Sequence, residues 1–425
     1  MSPLSRATRD INLSYDHPGC DDPIRLLQDS IEFAHSESLN LFSGFRGSGK
    51  TTELFRLKQR LENAGYVVLY ADALNYINPS SPIQISDLLI ILAGAFSDTL
   101  VELHIDLSSE TYWTRLWNWL NKTEVTVKEL GFKVEAGANP VKAGSDLKLE
   151  LRTTPSFRKK LSDALEGHIG ELDKHVQKFF EDGFKAIRKE RGGDAEVVFL
   201  FDSLEQIRGS LSNEQEVTRS VELLFSNHLK LLAIPYLHVV YTVPPWLKFV
   251  LPGTHMVVLP CLRMWNNDEH RSACQPGIDA LRALVEKRFS PEGLVRFFGP
   301  DPFSRADRLI VLCGGHFRDL LLLLRQTVLR ADSLPVSDEA IDAAIINVRS
   351  NFLPISLDDA KWLDQIEREK ATLLKSTEPA EISRLTRFLD THIVLYLRNG
   401  EEWYDVHPLV REEVRTVAEA AARRE

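Results

Sequence analysis

A glycine-rich segment of the chain, G-F-R-G-S-G-K-T over residues 44–51, has the pattern G-x-x-x-x-G-K-[ST]. In such a loop the glycines let the backbone curl so that successive N–H groups point at a phosphate, and the dipole of the following helix adds to their attraction. The ammonium of Lys50 then reaches the β- and γ-phosphates, and the hydroxyl of Thr51 ligates Mg²⁺. The pattern therefore predicts a phosphate-binding loop for ATP with Mg²⁺, which we call the P-loop.

We expect the nucleotide to contact this loop and the residue that follows it. The expected contacts are Gly44, Phe45, Arg46, Gly47, Ser48, Gly49, Lys50, Thr51 and Thr52. ATP is expected rather than GTP, because no N-K-x-D motif follows the strand pattern that ends near Thr242.

Two acids extend the predicted site. A P-loop needs a carboxylate on a neighbouring strand to hold Mg²⁺, and Asp202, at the end of the apolar run E-V-V-F-L-F, is the predicted residue. Glu205 follows in the segment D-S-L-E, where a second carboxylate could polarise the attacking water as a general base. The alternative for Glu205 is a solvated acid that is favoured by the dipole at a helix N-terminus.

Two further side chains are candidates for sensing the γ-phosphate. Thr242 ends an apolar strand pattern and could hydrogen-bond the phosphate or the water, although threonine is also simply a good strand residue. Arg318 follows the turn Gly314-Gly315 at a predicted helix start. It could reach the γ-phosphate when a helical lid closes, or it could be a surface arginine paired with a nearby acid.

Alternating strand and helix patterns surround these residues. Short apolar runs predict buried strands at Leu39–Phe42, Tyr66–Ala71, Glu196–Phe201, Leu237–Val243 and Met256–Leu259. Helical spacing between them predicts an α/β fold with a parallel sheet, which places ligands at the carboxyl ends of the strands. The P-loop follows the first strand and opens a helix, a context that a chance glycine-rich turn lacks. We predict a P-loop NTPase core over residues 1–260.

Residues 105–190 are predicted to be an insertion in this core. Trp113, Trp117 and Trp119 precede two alternating stretches, Phe132–Ala136 and Leu147–Leu151, which predict a β-hairpin. The tryptophans are more typical of hydrophobic packing than of a base-stacking platform. Residues 122–160 carry nine Lys/Arg and five Asp/Glu, so any basic patch is expected here.

The rest of the chain is helical in pattern until a predicted hairpin near the end. Residues 261–335 predict a helical lid, and residues 336–425 predict a winged-helix domain, because Asn399-Gly400 between alternating apolar residues is the strongest short hairpin signal. Residues 379–390 would be the recognition helix, with Arg384 and Arg387 facing DNA. The twelve Lys/Arg and eighteen Asp/Glu of residues 337–425 argue against that role.

Taken together, these motifs resemble those of a known family. The segments G-F-R-G-S-G-K-T-T, F-L-F-D-S-L-E, V-V-Y-T-V-P and G-G-H-F-R-D-L, with the terminal winged helix, resemble AAA+ ATPases of the archaeal origin-recognition initiator type and the related STAND NTPases. The resemblance implies that Asp202 is the Walker B acid, Glu205 the catalytic acid, Thr242 sensor 1 and Arg318 sensor 2. Ser203 departs from the pattern, since most AAA+ proteins have a second acid there.

The resemblance also bears on regulation. In STAND proteins the winged helix commonly packs on the ATPase core as a regulatory clamp, and we prefer this interpretation to DNA binding. No arginine finger is singled out, and four arginines stay open for that role. They are Arg208, Arg219, Arg263 and Arg271.

Composition limits the remaining choices. The formal net charge of −10 repels a phosphate backbone, so nucleic acid could be held only by a local basic surface. The four cysteines are far apart and suggest neither a zinc ribbon nor a disulfide framework. No apolar stretch reaches membrane-spanning length, so no membrane partner and a cytoplasmic location are expected.

These features predict an ATP-binding and ATP-hydrolysing switch that regulates a separately encoded effector protein. The STAND resemblance implies a prokaryotic antiviral or stress-response setting. The alternative is a DNA-binding ATPase of the initiator or transposition-regulator kind, which would grip duplex DNA through Arg158, Lys159, Lys160 and the winged helix. A third option is a scaffold that binds ATP but barely hydrolyses it, and assembly into a homo-oligomer stays open.

Overall fold

The computed structural model contains two compact units. It describes residues 22–105, 107, 110–122, 139–210, 212–251, 253–372 and 379–423. One unit, the sheet unit, comprises Ile24–Ser43 and Leu54–Val257. The other, which we call the C-terminal unit, contains Gly44–Glu53 and Val258–Glu425. The P-loop thus groups with the C-terminal half of the chain, although it directly follows the first strand.

Five strands form the central sheet, in the order β2-β3-β4-β1-β5. They are β1 (Ser38–Gly44), β2 (Val67–Asp72), β3 (Val197–Asp202), β4 (Leu237–Val243) and β5 (Met256–Leu259). Every residue of β3 and β4 is buried. Such continuous apolar burial is typical of parallel strands that are covered on both faces.

The register of the strands brings their carboxyl ends to one edge of the sheet. β3 and β4 are both central and parallel, and Asp72 of β2 pairs with Asp202 of β3. On the other side of β4, Ser43 of β1 pairs with Val243. The acid that ends β3, the threonine near the end of β4 and the last residues of β1 therefore share the edge at which parallel sheets bind ligands.

Helices make up most of the rest of the sheet unit. They are α1 (Pro23–Glu32), α2 (Lys50–Asn63), α3 (Ile85–Glu102), α4 (Tyr112–Leu120), α5 (Pro140–Thr153), α6 (Pro155–Leu165), α7 (Ile169–Arg191), α8 (Glu214–Asn227) and the short α9 (Leu247–Val250). Nearly all of α3 is buried, and it packs between α7 and β2. Trp113 is buried and stacks on Tyr76, which agrees with the predicted packing role of this tryptophan.

The prediction of a β-hairpin in the insertion is wrong for the stretch that lies among the described residues. Residues 147–151 lie within the helix α5, and Phe132–Ala136 falls outside the described residues. Asn139 caps α5 by accepting a hydrogen bond from the Val141 amide, and a proline occupies the first turn. Its buried residues Ala143, Leu147 and Leu151 recur every four positions, which is a helical period and not a strand alternation.

The C-terminal unit is helical apart from one hairpin and the end of β5. Its helices are α10 (Gln275–Arg288), α11 (Pro291–Phe298), α12 (Pro302–Leu312), α13 (Phe317–Arg330), α14 (Asp338–Arg349), α15 (Leu357–Glu369), α16 (Pro379–Asp390) and α17 (Arg411–Ala422). None of the helices among the described residues is both long and apolar enough to cross a membrane. The boundary at residue 335 between lid and winged helix stays a prediction.

The predicted winged-helix elements are present. Strands β6 (Val394–Asn399) and β7 (Glu401–Val406) pair antiparallel around Gly400, whose φ of 85° suits the turn. The expected recognition helix is α16. The predicted fold class is confirmed: an α/β parallel sheet of P-loop type is joined to a helical lid and a winged helix.

A buried carboxylate ties the winged helix to the segment after β5. Asp405 of β7 is fully buried and accepts hydrogen bonds from Trp265 Nε1 at 2.9 Å, Arg271 Nε at 2.9 Å and Arg411 Nη2 at 2.9 Å. Arg271 also donates to the Glu367 carbonyl of α15 at 2.9 Å. Removing the charge of this acid would take the carboxylate partner from Arg411 and one of two carboxylate partners from Arg271.

We therefore expect Asp405→Asn to lower the free energy of unfolding by about 3–5 kcal/mol, because it breaks a buried ion-pair network. Urea denaturation followed by circular dichroism measures the change. The control is Glu419→Gln, whose ion pair with Arg423 is exposed and should contribute less than about 0.5 kcal/mol. Equal effects of the two substitutions would contradict a structural role for the Asp405 network.

Candidate functional site

The P-loop has the backbone conformation that its glycines predict. Gly47 has φ of 87° and Gly49 φ of 96°, a region that residues with a Cβ rarely adopt. The loop is closed by Ser48, whose amide donates to the Phe45 carbonyl at 3.2 Å and whose hydroxyl donates to the same oxygen at 2.8 Å. Helix α2 begins directly afterwards at Lys50, so the N–H groups of its first turn adjoin the loop.

The Lys50 ammonium belongs to the interior of this loop. Lys50 is only 4% exposed, and its Nζ donates to the carbonyl oxygens of Gly44 and Phe45 at 2.9 Å each. A cation folded over its own loop, next to a helix N-terminus, is a donor set that suits a polyphosphate.

Arg318, the predicted sensor, lies directly against the P-loop. A Cβ added to Gly47 would come within 2.6 Å of Arg318 Nε and 2.7 Å of Arg318 Cβ, both in the C-terminal unit. The ring of Phe317, the residue before Arg318, comes within 3.6 Å of a Cβ built on Gly49. The structure thus brings the Gly314-Gly315 turn and the P-loop together, as the sensor prediction requires.

Sequence reasoning missed the neighbours of Arg318. His316 Nε2 lies 2.9 Å from the Arg46 carbonyl oxygen of the P-loop, and His316 Nδ1 lies 2.8 Å from Asp319 Oδ2. Both residues are in the motif G-G-H-F-R-D-L, so attention to polar residues beside the arginine could have found them. Their partners near the winged-helix hairpin, His392 and His407, carry no local signal.

In the sheet unit, Asp202 ends β3 and is 1% exposed. Its Oδ2 accepts from the Tyr70 hydroxyl at 3.0 Å, and its Oδ1 accepts from the Ser203 amide at 2.7 Å. Burial, and then the charge of Asp202, raise the pKa of Tyr70 well above its usual range, so this phenol stays a neutral donor. The Asp202 carboxylate, at the ligand-binding edge of the sheet, is the type of oxygen ligand that Mg²⁺ prefers.

Glu205 and Thr242 are brought together as the prediction requires. The Thr242 hydroxyl donates to Glu205 Oε2 at 2.8 Å, with Thr242 fully buried and Glu205 8% exposed. Glu205 lies in the 3₁₀ turn that follows β3 and is not a solvated acid. Its carboxylate is therefore oriented by a second side chain, which is the arrangement expected of a positioned base.

Sequence reasoning also missed Asp72 and Tyr70 at this edge. Asp72 follows an apolar run of its own and pairs in register with Asp202. Its Oδ1 accepts from the Leu74 amide at 3.0 Å and so caps a 3₁₀ turn. The signal for Asp72 was an apolar strand ending in an acid, the same one that identified Asp202.

Two of the four arginines that the sequence left open as an arginine finger pair with acids of the same chain. Arg271 is held by Asp405 and Glu367, and Arg219 donates to Glu222 at 2.6 Å. Arg208 is exposed, and its amide donates to the Pro79 carbonyl at 2.8 Å. No geometry singles out Arg208 or Arg263 among the described residues.

Comparison with known proteins gives structural neighbours only. No protein-family model and no curated protein matches the sequence. The chain is similar to the Orc1 protein of Aeropyrum pernix, solved in complex with DNA, with 14% identity, 99% of this chain and 98% of that chain covered, and a TM-score of 0.35. It is similar to a Walker-type ATPase of Pyrococcus abyssi, with 13% identity, 95% and 97% coverage, and a TM-score of 0.41.

A third neighbour is Cdc6p of Pyrobaculum aerophilum. It shares 12% identity over 95% of this chain and 92% of that chain, with a TM-score of 0.34. These proteins are of the kind that the sequence motifs resemble. The roles of individual residues rest on the geometry described above.

The buried histidines make stability depend on pH. Burial, with the His316 ring next in effect, lowers the pKa of His392 to about 4, while Asp319 opposes the shift. Burial alone would raise the pKa of Asp319, but the hydrogen bond to His316 and the charge of that ring hold it below its usual range, so this acid stays charged. A histidine with a lower pKa in the folded state binds fewer protons when folded, so stability falls as pH drops from about 6.5 towards 4.

We expect His392→Gln to reduce the loss of unfolding free energy between pH 7 and pH 5 by on the order of 1–2 kcal/mol. Urea denaturation at both pH values measures it. His270→Gln changes an exposed histidine of the same unit and should leave the pH dependence as in the wild type. A wild-type pH dependence for His392→Gln would contradict the assigned shift.

Proposed function

We propose that the protein binds ATP with Mg²⁺ at the P-loop and hydrolyses it. The observation that carries the proposal is the buried Lys50 ammonium, which lies over the Gly44 and Phe45 carbonyls of a loop with positive-φ glycines. An ammonium and the N–H groups of a helix start together match a triphosphate. Arg318 against Gly47 adds a second cation on the same loop.

The proposed roles follow the donor chemistry of each residue. Lys50 and the loop amides hold the phosphates, and the hydroxyl of Thr51 and the carboxylate of Asp202 hold Mg²⁺. A bound Mg²⁺ would supply positive charge next to the phosphate oxygens. Glu205 accepts a proton from the attacking water, and Thr242 holds its carboxylate in place through the 2.8 Å hydrogen bond.

We further propose that hydrolysis serves a switch in which the winged helix regulates the nucleotide site. The contact that supports this is between elements of one unit: a Cβ on Gly314 would come within 2.5 Å of Leu395 Cδ1 in β6. The Cys261 amide also donates to the Tyr396 carbonyl at 3.0 Å. A separately encoded effector and an antiviral setting stay predictions that follow from the resemblance alone.

The DNA-binding alternative has less support, because its key cations are engaged within the chain. Arg384 and Arg387 of α16 both pair with Asp359, at 3.4 and 2.7 Å. Arg158 is 3% exposed and donates to the Pro82 carbonyl at 3.1 Å. Lys159 and Lys160 are exposed, but two exposed lysines do not by themselves make a phosphate-tracking surface.

We expect Lys50→Ala to weaken ATP binding about 10- to 100-fold, since it removes charge-assisted hydrogen bonds to phosphate. Isothermal titration calorimetry with a non-hydrolysable ATP analogue and Mg²⁺ measures the affinity. The control is Lys185→Ala, which removes an exposed lysine paired with Glu181. Unchanged affinity of Lys50→Ala would sink the proposed site.

We expect Thr242→Val to lower kcat roughly tenfold while ATP affinity stays near the wild-type value, because a hydrogen bond to a carboxylate is worth about 1.5–3 kcal/mol. Steady-state phosphate release and analogue binding measure the two quantities. Thr99→Val is the matched control, since Thr99 is also buried and donates only to the Phe96 carbonyl of its own helix. A change in affinity alone would argue that Thr242 binds nucleotide and does not orient Glu205.

A further inference from the structure

One carboxylate oxygen in the C-terminal unit is the meeting point of three histidines. Asp319 Oδ2 lies 2.8 Å from His316 Nδ1, 2.9 Å from His392 Nε2 and 3.2 Å from His407 Nε2. Asp319 is 4% exposed, and His316 and His407 are fully buried. A buried carboxylate is stable only with such partners, so the three rings and the acid form one unit of packing.

His316 connects this cluster to the P-loop through its second nitrogen. Its Nε2 faces the Arg46 carbonyl at 2.9 Å, and a carbonyl can only accept. Its Nδ1 faces a carboxylate, which also accepts. Both ring nitrogens of His316 therefore face acceptors within hydrogen-bond distance.

The Arg46 carbonyl matters because of peptide geometry. Across a trans peptide the C=O and the following N–H point in opposite directions. The hydrogen bond from His316 to Arg46 therefore also fixes the direction of the Gly47 N–H, and loop N–H groups are what a P-loop offers to phosphate. His316 is thus placed to set the orientation of a phosphate-binding amide.

The other two histidines flank the winged-helix hairpin. His392 comes shortly before β6 and His407 directly after β7, and the His407 amide donates to the Ile393 carbonyl at 2.8 Å. His407 Nδ1 accepts from the Leu409 amide at 3.3 Å, so its Nε2 carries the proton. This nitrogen lies 3.2 Å from Asp319 Oδ2 without hydrogen-bond geometry, so its contact with the carboxylate is electrostatic. The His392 ring also stacks on His316 at 4.2 Å.

We propose that His316 is a positioning residue of the P-loop and that Asp319 links it to the winged helix. His392 and His407 hold Asp319, Asp319 holds His316, and His316 holds the Arg46 carbonyl. Displacement of the hairpin withdraws two imidazole contacts from Asp319 and frees the loop peptide. The regulatory meaning of this link rests on the proposed ATP site, but the link itself is a property of the free protein.

The link is tested first without nucleotide, by hydrogen–deuterium exchange of the wild type and His407→Gln. We expect the P-loop amides of residues 46–50 to exchange roughly fivefold faster or more in the variant, because a restraint on local opening is lost. His238→Gln is the control, since His238 is also buried but pairs with Ser38 in the sheet unit. Should His407→Gln fail to fold, His392→Gln serves, because His392 is partly exposed.

Two substitutions of His316 separate its two nitrogens. Gln places an amide donor near the Nε2 position and Asn places one near Nδ1. We expect His316→Gln to keep ATP-analogue affinity near the wild-type value and His316→Asn to weaken it about tenfold, the loss of one good hydrogen bond. In the His316→Gln background, His407→Gln should no longer change P-loop exchange, because the connection to Asp319 is already absent.

Three results would overturn the link. One is unchanged P-loop exchange in a folded His407→Gln or His392→Gln protein, and another is equal ATP-analogue affinity of the two His316 variants. The third is a stoichiometric transition metal in the purified protein by mass spectrometry, since His316, Asp319 and His392 have donor atoms close enough to ligate one. If the wild type binds no ATP, the proposed function fails, while the exchange experiment still decides the link.

Discussion

The change from a buried strand to a helix at residues 44–50 constrains much of the structure. β1 is buried along its second half, and the chain must turn from β1 into α2 within a few residues at the carboxyl edge of the sheet. Positive-φ glycines make the bend, and the carbonyls of Gly44 and Phe45 accept hydrogen bonds from the Lys50 ammonium. The same geometry places the N–H groups of the helix start beside the loop, which is the arrangement that binds anions in proteins.

The parallel sheet supplies the acids. Because β2, β3 and β4 are in register, Asp72, Asp202 and Thr242 end at one edge, and the turn after β3 returns Glu205 to Thr242. The two acids Asp202 and Glu205 differ in their hydrogen-bond partners. Asp202 accepts hydrogen bonds from a neutral phenol and a backbone amide, and Glu205 accepts one from the Thr242 hydroxyl. The proposed roles of metal ligand and proton acceptor call for such different environments.

The strands and the P-loop could be predicted from the sequence because their signals are local. Apolar runs that end in a glycine or an acid mark β1 and β3, and Asn399-Gly400 marks the hairpin to within a residue or two. The β-hairpin prediction for the insertion was wrong because a segment with the helical repeat Ala143, Leu147 and Leu151 also contains a short alternation of apolar residues. Without the Asn139 cap, this segment cannot be distinguished from a strand.

The Asp319 cluster could not be predicted for a different reason. His316 and Asp319 are adjacent in sequence to the predicted sensor, but His392 and His407 are far along the chain and meet them only through tertiary packing. Tyr70 and Asp202 are a second such pair, on neighbouring strands. Side-chain partners across long separations depend on packing and not on any local pattern, whereas the loop and strand signals depend on backbone conformation.

The most direct test of the account is ATP hydrolysis by the purified protein, alone and with duplex DNA, for the wild type and Glu205→Gln. The account predicts Mg²⁺-dependent turnover in the wild type that falls by about 10²-fold or more in Glu205→Gln, as expected for loss of a general base, and that does not change with DNA. Turnover that survives the substitution would contradict the assignment of Glu205. Severalfold stimulation by DNA would contradict the regulatory interpretation of the winged helix and favour a DNA-binding ATPase.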